Sequence, residues 1–431
     1  MFTVILLDIQ YTGIYWNTQC KSYLFHLHSR YHLVMFVLYI CTSEKATSLN
    51  NVARDIYRVA LKLNIPSRVR SGMIQFYDLD RERDQALYVM CADPLLTTGW
   101  FLAVRDCHKF GRKAIMYATV EGRLKRMYVK DWMREVNIVA VSNYVREKLV
   151  EAGLNVIGVV HHGIDIEEVV KARGMMKLGL EYYSKYGLSP DRHVIMLTVS
   201  NPQPRKGLAW LDKIAEEVEK RDASIKFLVI TEEKGLRYFG NHGNLIVSTD
   251  FGRLPREMIL SIIANAHVMV VPSLAEGFHL PTLEAMALGT PVVHGQLPPL
   301  LEFSTGWVVP ATEILFFDQH LGLPSGIEFE QHLYDVKEFA DVLMHVVDLY
   351  RCKREEIVDY RRRSWERVLE YSIYNKYPKL IRYLVDAPES IPINVEPYDF
   401  NSLPQVPPPT IPPSNIERNE FEDLGVVIPH G

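Results

Sequence analysis

Seven residues separate Glu276 from Glu284 in the run Val271-Pro-Ser-Leu-Ala-Glu-Gly-Phe-His-Leu-Pro-Thr-Leu-Glu-Ala-Met-Ala-Leu-Gly-Thr-Pro-Val-Val293. The pattern predicts an apolar strand ending in a loop that bears Glu276 and Gly277, then a short helix begun by Pro281 with Glu284 in its first turn. Proline costs no hydrogen bond at the first helical position, because that N–H is unpaired in any helix. The spacing lets both carboxylates face one crevice at the helix N-terminus, around Phe278, His279 and Leu280. Free N–H groups and the positive end of the dipole make that end a place for a phosphate. Carboxylates that accept from sugar hydroxyls, beside a phosphate cradle, suit a sugar nucleotide.

A second loop carries the opposite charge. Asn201-Pro-Gln-Pro-Arg-Lys-Gly207 lies between an expected strand and helix, and loops at the carboxyl ends of parallel strands are where α/β folds bind ligands. Arg205 and Lys206 there neutralise a diphosphate as it leaves; a surface cation pair capping a helix is the plain alternative.

The glutamate string resembles the Glu-x7-Glu signature of retaining glycosyltransferases of family 4, which have the GT-B fold. A capped strand-to-helix turn with two solvated acids would explain the spacing alone. The flanking Gly-Phe, Leu-Pro and Gly-Thr-Pro-Val-Val make the string specific. The resemblance implies that Glu276 lies by the transferred sugar and that Glu284 holds the ribose hydroxyls. It also implies that Lys206, in its Arg-Lys-Gly string, contacts the pyrophosphate. Departures stand beside these matches. Family members carry an early Arg where this chain has Ser200 and Asn201, and Arg205 is the nearest replacement. His279 occupies a place that is commonly Gly, so its imidazole either bonds the diphosphate or sugar, or supports a group that does. The usual Gly-rich loop after the first strand is reduced to Ile9-Gln-Tyr-Thr-Gly13, leaving Gly13 as the residue for close approach to the donor phosphate. A His common after a middle strand is missing from Tyr117-Ala-Thr-Val-Glu-Gly122, where Glu121 is the polar group placed to enter the cleft. Glu121 is equally readable as a helix N-terminal acid. His108, upstream in a helix, reads as structural.

Length and composition constrain the setting. A chain of 431 residues is too long for one ordinary core. A net charge of −4 argues against a general nucleic-acid binder. Cys20, Cys41, Cys91, Cys107 and Cys352 are scattered without a Cys-x2-Cys pair, so neither a zinc site nor a disulfide framework is indicated and a reducing, cytoplasmic compartment is expected. The opening Met-Phe-Thr-Val-Ile-Leu-Leu-Asp reads as a first buried strand rather than a signal peptide. Leu33 to Cys41 is too short to span a bilayer. Asp78-Leu-Asp80 matches a three-residue metal motif of the other glycosyltransferase fold without its nucleotide-binding context, and reads as a loop; no metal site is expected.

Short apolar runs alternate with helical patterns along most of the chain, the sign of parallel sheets covered on both faces. Strands are expected at Thr3–Asp8, Leu33–Cys41, Met73–Tyr77, Ala86–Cys91, Lys113–Ala118, Ile138–Ser142 and Val156–Val160. A second series follows at His193–Ser200, Ile225–Thr231, Leu245–Ser248, His267–Pro272 and Pro291–His294. The fold class is therefore α/β, two Rossmann-like doubly wound domains facing a cleft. The expected division is an acceptor-side domain at 1–166, a linker at 167–189, a nucleotide-sugar domain at 190–355, return helices at 356–386 and a Pro-rich tail at 387–431. Gly163 would allow a sharp turn at the crossing. Arg123, Lys125, Arg126, Lys130 and Arg134, interleaved with Leu124, Met127, Tyr128 and Trp132, read as a solvated amphipathic helix or as peripheral contact with the inner membrane face. The tail, extended or disordered, is a spacer or a partner-binding segment.

The resemblance covers Asn137 to Trp307 and implies metal-independent, cofactor-free transfer of a hexose from a nucleoside diphosphate sugar, such as UDP- or GDP-hexose, to a hydroxyl acceptor on a glycan, lipid or protein glycan, with retention. Two other readings keep the fold: a nucleotide-sugar epimerase or isomerase, and a non-catalytic subunit that binds the sugar nucleotide.

Overall fold

A computed structural model describes residues 36–42, 47–72, 85–92, 98–320, 323–396, 399–404 and 406–407. The expected strands Thr3–Asp8 and Met73–Tyr77, with Gly13, Asp78 and Asp80, lie outside them.

The first half alternates strand and helix as its apolar runs demand. In chain order come β1 (Phe36–Thr42), α1 (Thr47–Lys62), β2 (Ser67–Ser71), β3 (Gln85–Ala92), α2 (Thr98–Lys109) and β4 (Lys113–Ala118). Then follow β5 (Gly122–Leu124), β6 (Ile138–Ala140), α3 (Asn143–Glu151) and β7 (Val156–Val159). Six of these strands form one parallel sheet in the order β2-β1-β3-β4-β6-β7. β4 runs through its middle with Ala114 to Ala118 buried, which is why that strand reads as a continuous apolar run. His108 sits in α2 and hydrogen-bonds the Ala114 carbonyl at 2.9 Å, a structural role.

The second half repeats the plan. Its elements are α4 (Ile166–Arg173), α5 (Met176–Lys185), β8 (Val194–Val199), α6 (Leu208–Arg221), β9 (Ile225–Ile230) and β10 (Leu245–Ser248). They continue with α7 (Arg256–Ala264), β11 (Val268–Val271), α8 (Leu280–Leu288), β12 (Val292–Gly295), α9 (Pro298–Leu301) and β13 (Trp307–Val309). The parallel order is β10-β9-β8-β11-β12-β13. Strand order reverses between β8 and β11, so the loops leaving these two strands open a crevice at their carboxyl ends. Both charged loops of the sequence leave there.

Residues 167–189 are largely helical and are anchored rather than free. Tyr183 donates to the Ile262 carbonyl at 2.7 Å, and Ser261 Oγ accepts from the Gly179 N–H at 2.8 Å, fixing α5 to α7. Gly163 is not at positive φ, so a sharp turn is not its purpose. A Cβ there would lie 2.8 Å from Ile373 Cα; the glycine lets the returning chain pass close by. After α10 (Val336–Cys352) and α11 (Arg354–Glu370), α12 (Ile373–Ile381) packs on α1 of the first domain. The start of the tail has neither helix nor strand and is held to the body: Pro407 accepts from Arg351 at 3.1 Å, and the Ile391 N–H donates to Tyr374 at 2.8 Å.

The basic stretch after Glu121 is not the amphipathic helix its composition suggested. It forms β5 and two single-turn 3-10 helices, because β5 is captured by a hairpin of β14 (Glu313–His320) and β15 (Leu323–Leu333) arriving from the second domain. Residues Gly122 and Phe329 pair in register, and the three strands bridge the domains like a strap. Trp132 is held under Phe101 and Arg105. No helix among the described residues is long and apolar enough to cross a membrane.

Glu302 supplies a further clasp. Its carboxylate accepts from the Asn143 and Tyr144 N–H groups at 2.9 and 3.0 Å and sits 2.7 Å from His161 Nε2. A carboxylate of one domain thus caps a helix of the other, where four N–H groups lack partners. Burial pulls the Glu302 carboxyl upward, yet these donors hold it below its usual range. Glu302→Ala is expected to lower stability by about 1–2 kcal/mol, the usual cost of a lost cap. An unchanged denaturant midpoint would show that the clasp carries no load.

Candidate active site

Strand β11 ends at Val271, and the following loop turns toward the first domain. Gly277 lies at a close contact between the two domains: a Cβ there would lie 2.1 Å from Thr119 Oγ1 and 3.0 Å from the Val120 carbonyl oxygen. Ser142 Oγ donates to the Gly277 carbonyl at 2.9 Å from the same side. Any larger residue would push the domains apart, which accounts for the Gly after Glu276.

Glu276 is buried beside this contact and anchors a chain of opposite charges. Lys206 Nζ lies 2.5 Å from its Oε1, and Arg205 Nη1 lies 3.4 Å from its Oε2. Arg205 Nη2 reaches on to Glu121 Oε1 at 3.0 Å, so the ion chain crosses from the second domain into the first. The backbone fixes the same pairing, since the Leu274 N–H donates to the Arg205 carbonyl at 2.8 Å. Burial would raise the Glu276 carboxyl, but Lys206, the imidazole of His279 and Arg205 prevail and hold it at about 2. For Lys206 burial acts downward against the attraction of Glu276 and leaves the ammonium below its usual range. Four predicted residues, Glu121, Arg205, Lys206 and Glu276, thus meet at one point. Glu121 belongs to the cleft rather than to a helix terminus: β5 follows it, and its carbonyl accepts from the Glu330 N–H at 3.1 Å.

Helix α8 begins at Leu280, making Pro281 its second residue and placing Glu284 one residue deeper than expected. The Glu284 carboxylate is buried and paired with the Arg256 guanidinium. His279 precedes the helix at φ 84° and ψ 77°, a left-handed conformation that glycine adopts freely and histidine does not. The common Gly of the resemblance therefore has a backbone reason. His279 Nδ1 lies 2.8 Å from Thr282 Oγ1, and Nε2 faces Glu276 Oε1 at 3.9 Å. Burial lowers the imidazole to about 3 despite Glu276, so the ring is neutral near pH 7.

Phe278 brings its backbone to the start of α8 while its side chain turns inward. Its ring stacks on Phe303 with centroids 4.6 Å apart and meets His162 edge-on at 5.1 Å, inside an aromatic cluster. The side chain is core, with no face for a ligand. Three site neighbours went unread in the sequence: Phe329, whose ring lies 5.9 Å from the Arg205 guanidinium carbon, Glu330, and Arg256. Each belongs to a different element from the residue it supports, and only pairing across long sequence separations reveals it. The described residues hold no group of three or more His, Cys, Asp or Glu arranged to bind a metal.

Residues 193–319 match the family described as glycosyl transferases group 1, a segment that contains Arg205, Lys206, Arg256, Glu276 and Glu284. The chain is 24% identical over 288 residues to an uncharacterized glycosyltransferase of Sulfolobus islandicus rod-shaped virus 1, covering 64% of this chain and 81% of that one. It is 35% identical over 115 residues to an MMP α-(1→4)-mannosyltransferase of Mycolicibacterium hassiacum, 26% of this chain and 28% of that one. A crystal structure of a glycosyltransferase from Rickettsia africae superimposes with a TM-score of 0.59 at 12% identity, covering 82% of this chain and 98% of that one. The architecture is the GT-B fold, and together the matches support a glycosyltransferase.

The strained His279 allows a direct check. Glycine normally weakens a fold relative to alanine, but at this φ a Cβ costs about 1 kcal/mol or more. His279→Gly is therefore expected to unfold at higher denaturant than His279→Ala. The opposite order would mean that residue 279 does not hold the left-handed conformation in solution.

Proposed function

We propose that the protein transfers a hexose from a nucleoside diphosphate sugar to a hydroxyl acceptor, with retention at the anomeric carbon. The observation that carries this reading is the ion chain Glu121–Arg205–Glu276–Lys206 at the strand-order switch, with the N-terminus of α8 beside it. Cations and the positive end of a helix there suit a diphosphate, and a carboxylate held near pKa 2 stays charged throughout the working pH range.

Transfer breaks the bond between the anomeric carbon and the diphosphate oxygen, and the electron pair leaves with the diphosphate. Lys206 and Arg205 meet that growing charge, which fixed, desolvated groups stabilise more than water does. Glu276, charged and beside the sugar, favours the cationic character of the anomeric carbon. The acceptor oxygen attacks from the face the leaving group vacates, and its proton passes to the departing phosphate oxygen. Glu284 accepts from the ribose hydroxyls. No metal or further cofactor is required, because the leaving-group charge is met by the chain's own cations.

The two glutamates are expected to fail differently. Glu284 serves ground and transition states alike, so Glu284→Gln should mainly raise the donor Michaelis constant. Glu276 matters most as charge develops, so Glu276→Gln should mainly lower turnover, by about two orders of magnitude. The steady-state assay follows nucleoside diphosphate release in excess EDTA with UDP- and GDP-hexoses. Folded variants with unchanged kinetics, or a strict need for added manganese, would overturn this mechanism. Donor binding without release would favour a non-catalytic subunit.

A further inference from the structure

Glu284 is buried, and one arginine decides where its carboxylate sits. Arg256, the first residue of α7, donates through Nη1 to Glu284 Oε1 and through Nε to Glu168 Oε2 at 3.2 Å. Glu168 lies in α4, directly after the crossing between the domains, with its Oε1 3.8 Å from Arg58 Nη2. Arg58, on α1 of the first domain, also binds Asp165 at 3.0 Å and Asp55 at 3.2 Å. Charges therefore alternate from α8 through α7 and α4 to α1: Glu284, Arg256, Glu168, Arg58, Asp165. Arg256 is held charged well above the ordinary arginine range, where burial opposes and Glu284 and Glu168 prevail.

We propose that Arg256 is a positioning residue that fixes Glu284 for the ribose of the donor and ties that grip to the arrangement of the two domains. By committing Oε1 it leaves Oε2 as the oxygen that accepts from a ribose hydroxyl. This role rests on the reading of Glu284 as the ribose ligand. A guanidinium fits the task because its fork engages two carboxylates at once in fixed directions. Lysine keeps the charge but not the fork.

The test compares wild type, Arg256→Gln, Arg256→Lys, Glu168→Gln and Glu284→Gln as full-length proteins. It measures donor KM and kcat, and the affinity for UDP and GDP by titration calorimetry. Arg256→Gln is expected to raise donor KM and weaken nucleotide binding by about tenfold, with kcat within about twofold, the mark of lost uniform binding. Arg256→Lys, which keeps the charge but loses the fork, should recover only part of that loss, and Glu168→Gln should shift KM the same way by about two- to threefold. The double variant of Arg256 and Glu284 should be no worse than Glu284→Gln alone, since coupled residues do not add. If Arg256→Gln leaves KM unchanged while Glu284→Gln raises it, the positioning role fails and the ribose reading stands. If Glu284→Gln also leaves KM unchanged, the ribose reading itself fails. Should Arg256→Gln not fold, Arg256→Lys and Glu168→Gln decide: unchanged KM and nucleotide affinity in both would overturn the proposal.

Discussion

A buried charge must find an opposite charge or stay out of the interior, and this constraint organises the centre of the molecule. Glu276 cannot be taken from water alone, so Lys206 and Arg205 close on it. Arg205 in turn requires Glu121 from the other domain. One desolvated carboxylate thus dictates the approach of two loops and of two domains. Gly277 at the point of contact and the Leu274–Arg205 backbone bond are the steric and hydrogen-bonding conditions that let the charges meet.

The remaining contacts between the domains hold that junction in place. Glu302 caps α3 from across the cleft, the strap pairs β15 with β5 directly after Glu121, and α12 lies on α1. Lys148 and Glu330 add an ion pair at 2.6 Å between α3 and the strap. The cap, the strap and the ion pair use different kinds of bond, yet all three act on the segment that delivers Glu121 or on α3 beside it. A hairpin that fixes the backbone of Glu121 also fixes where Arg205 points, and the geometry of the ion chain inherits its rigidity from the sheet.

Much of this was legible where chemistry and local period coincide. The strands Lys113–Ala118 and Leu245–Ser248 have the expected bounds: the buried β4 reads as a continuous apolar run, and the half-buried edge strand β10 as a short one. Glu276, Lys206 and Arg205 were legible from their loops, and Glu121 from its place after a central strand. The strap was not: β14 carries Leu315, Phe316 and Phe317 in a row next to an irregular register, and the alternation Ile327-Glu328-Phe329-Glu330 in β15 is too short to mark it. β5 is only three residues long and exists by pairing with a strand some 200 positions away. For the same reason Arg256 and Glu302 went unread, since each serves an element that the local pattern does not touch. Phe278 shows the converse: the motif put it at the site, and the aromatic cluster around Phe303 claims its ring.

The central claim is that Lys206 and its neighbours form a diphosphate site for a sugar-nucleotide donor. The most direct measurement is the thermal unfolding midpoint of wild type and Lys206→Ala against a concentration series of UDP- and GDP-hexoses. A ligand that binds only the folded state raises the midpoint with concentration. The account predicts that at least one donor stabilises the wild type in this way and that the effect is largely lost in a folded Lys206→Ala variant. Equal stabilisation of both proteins, or none of the wild type by any donor, would contradict it.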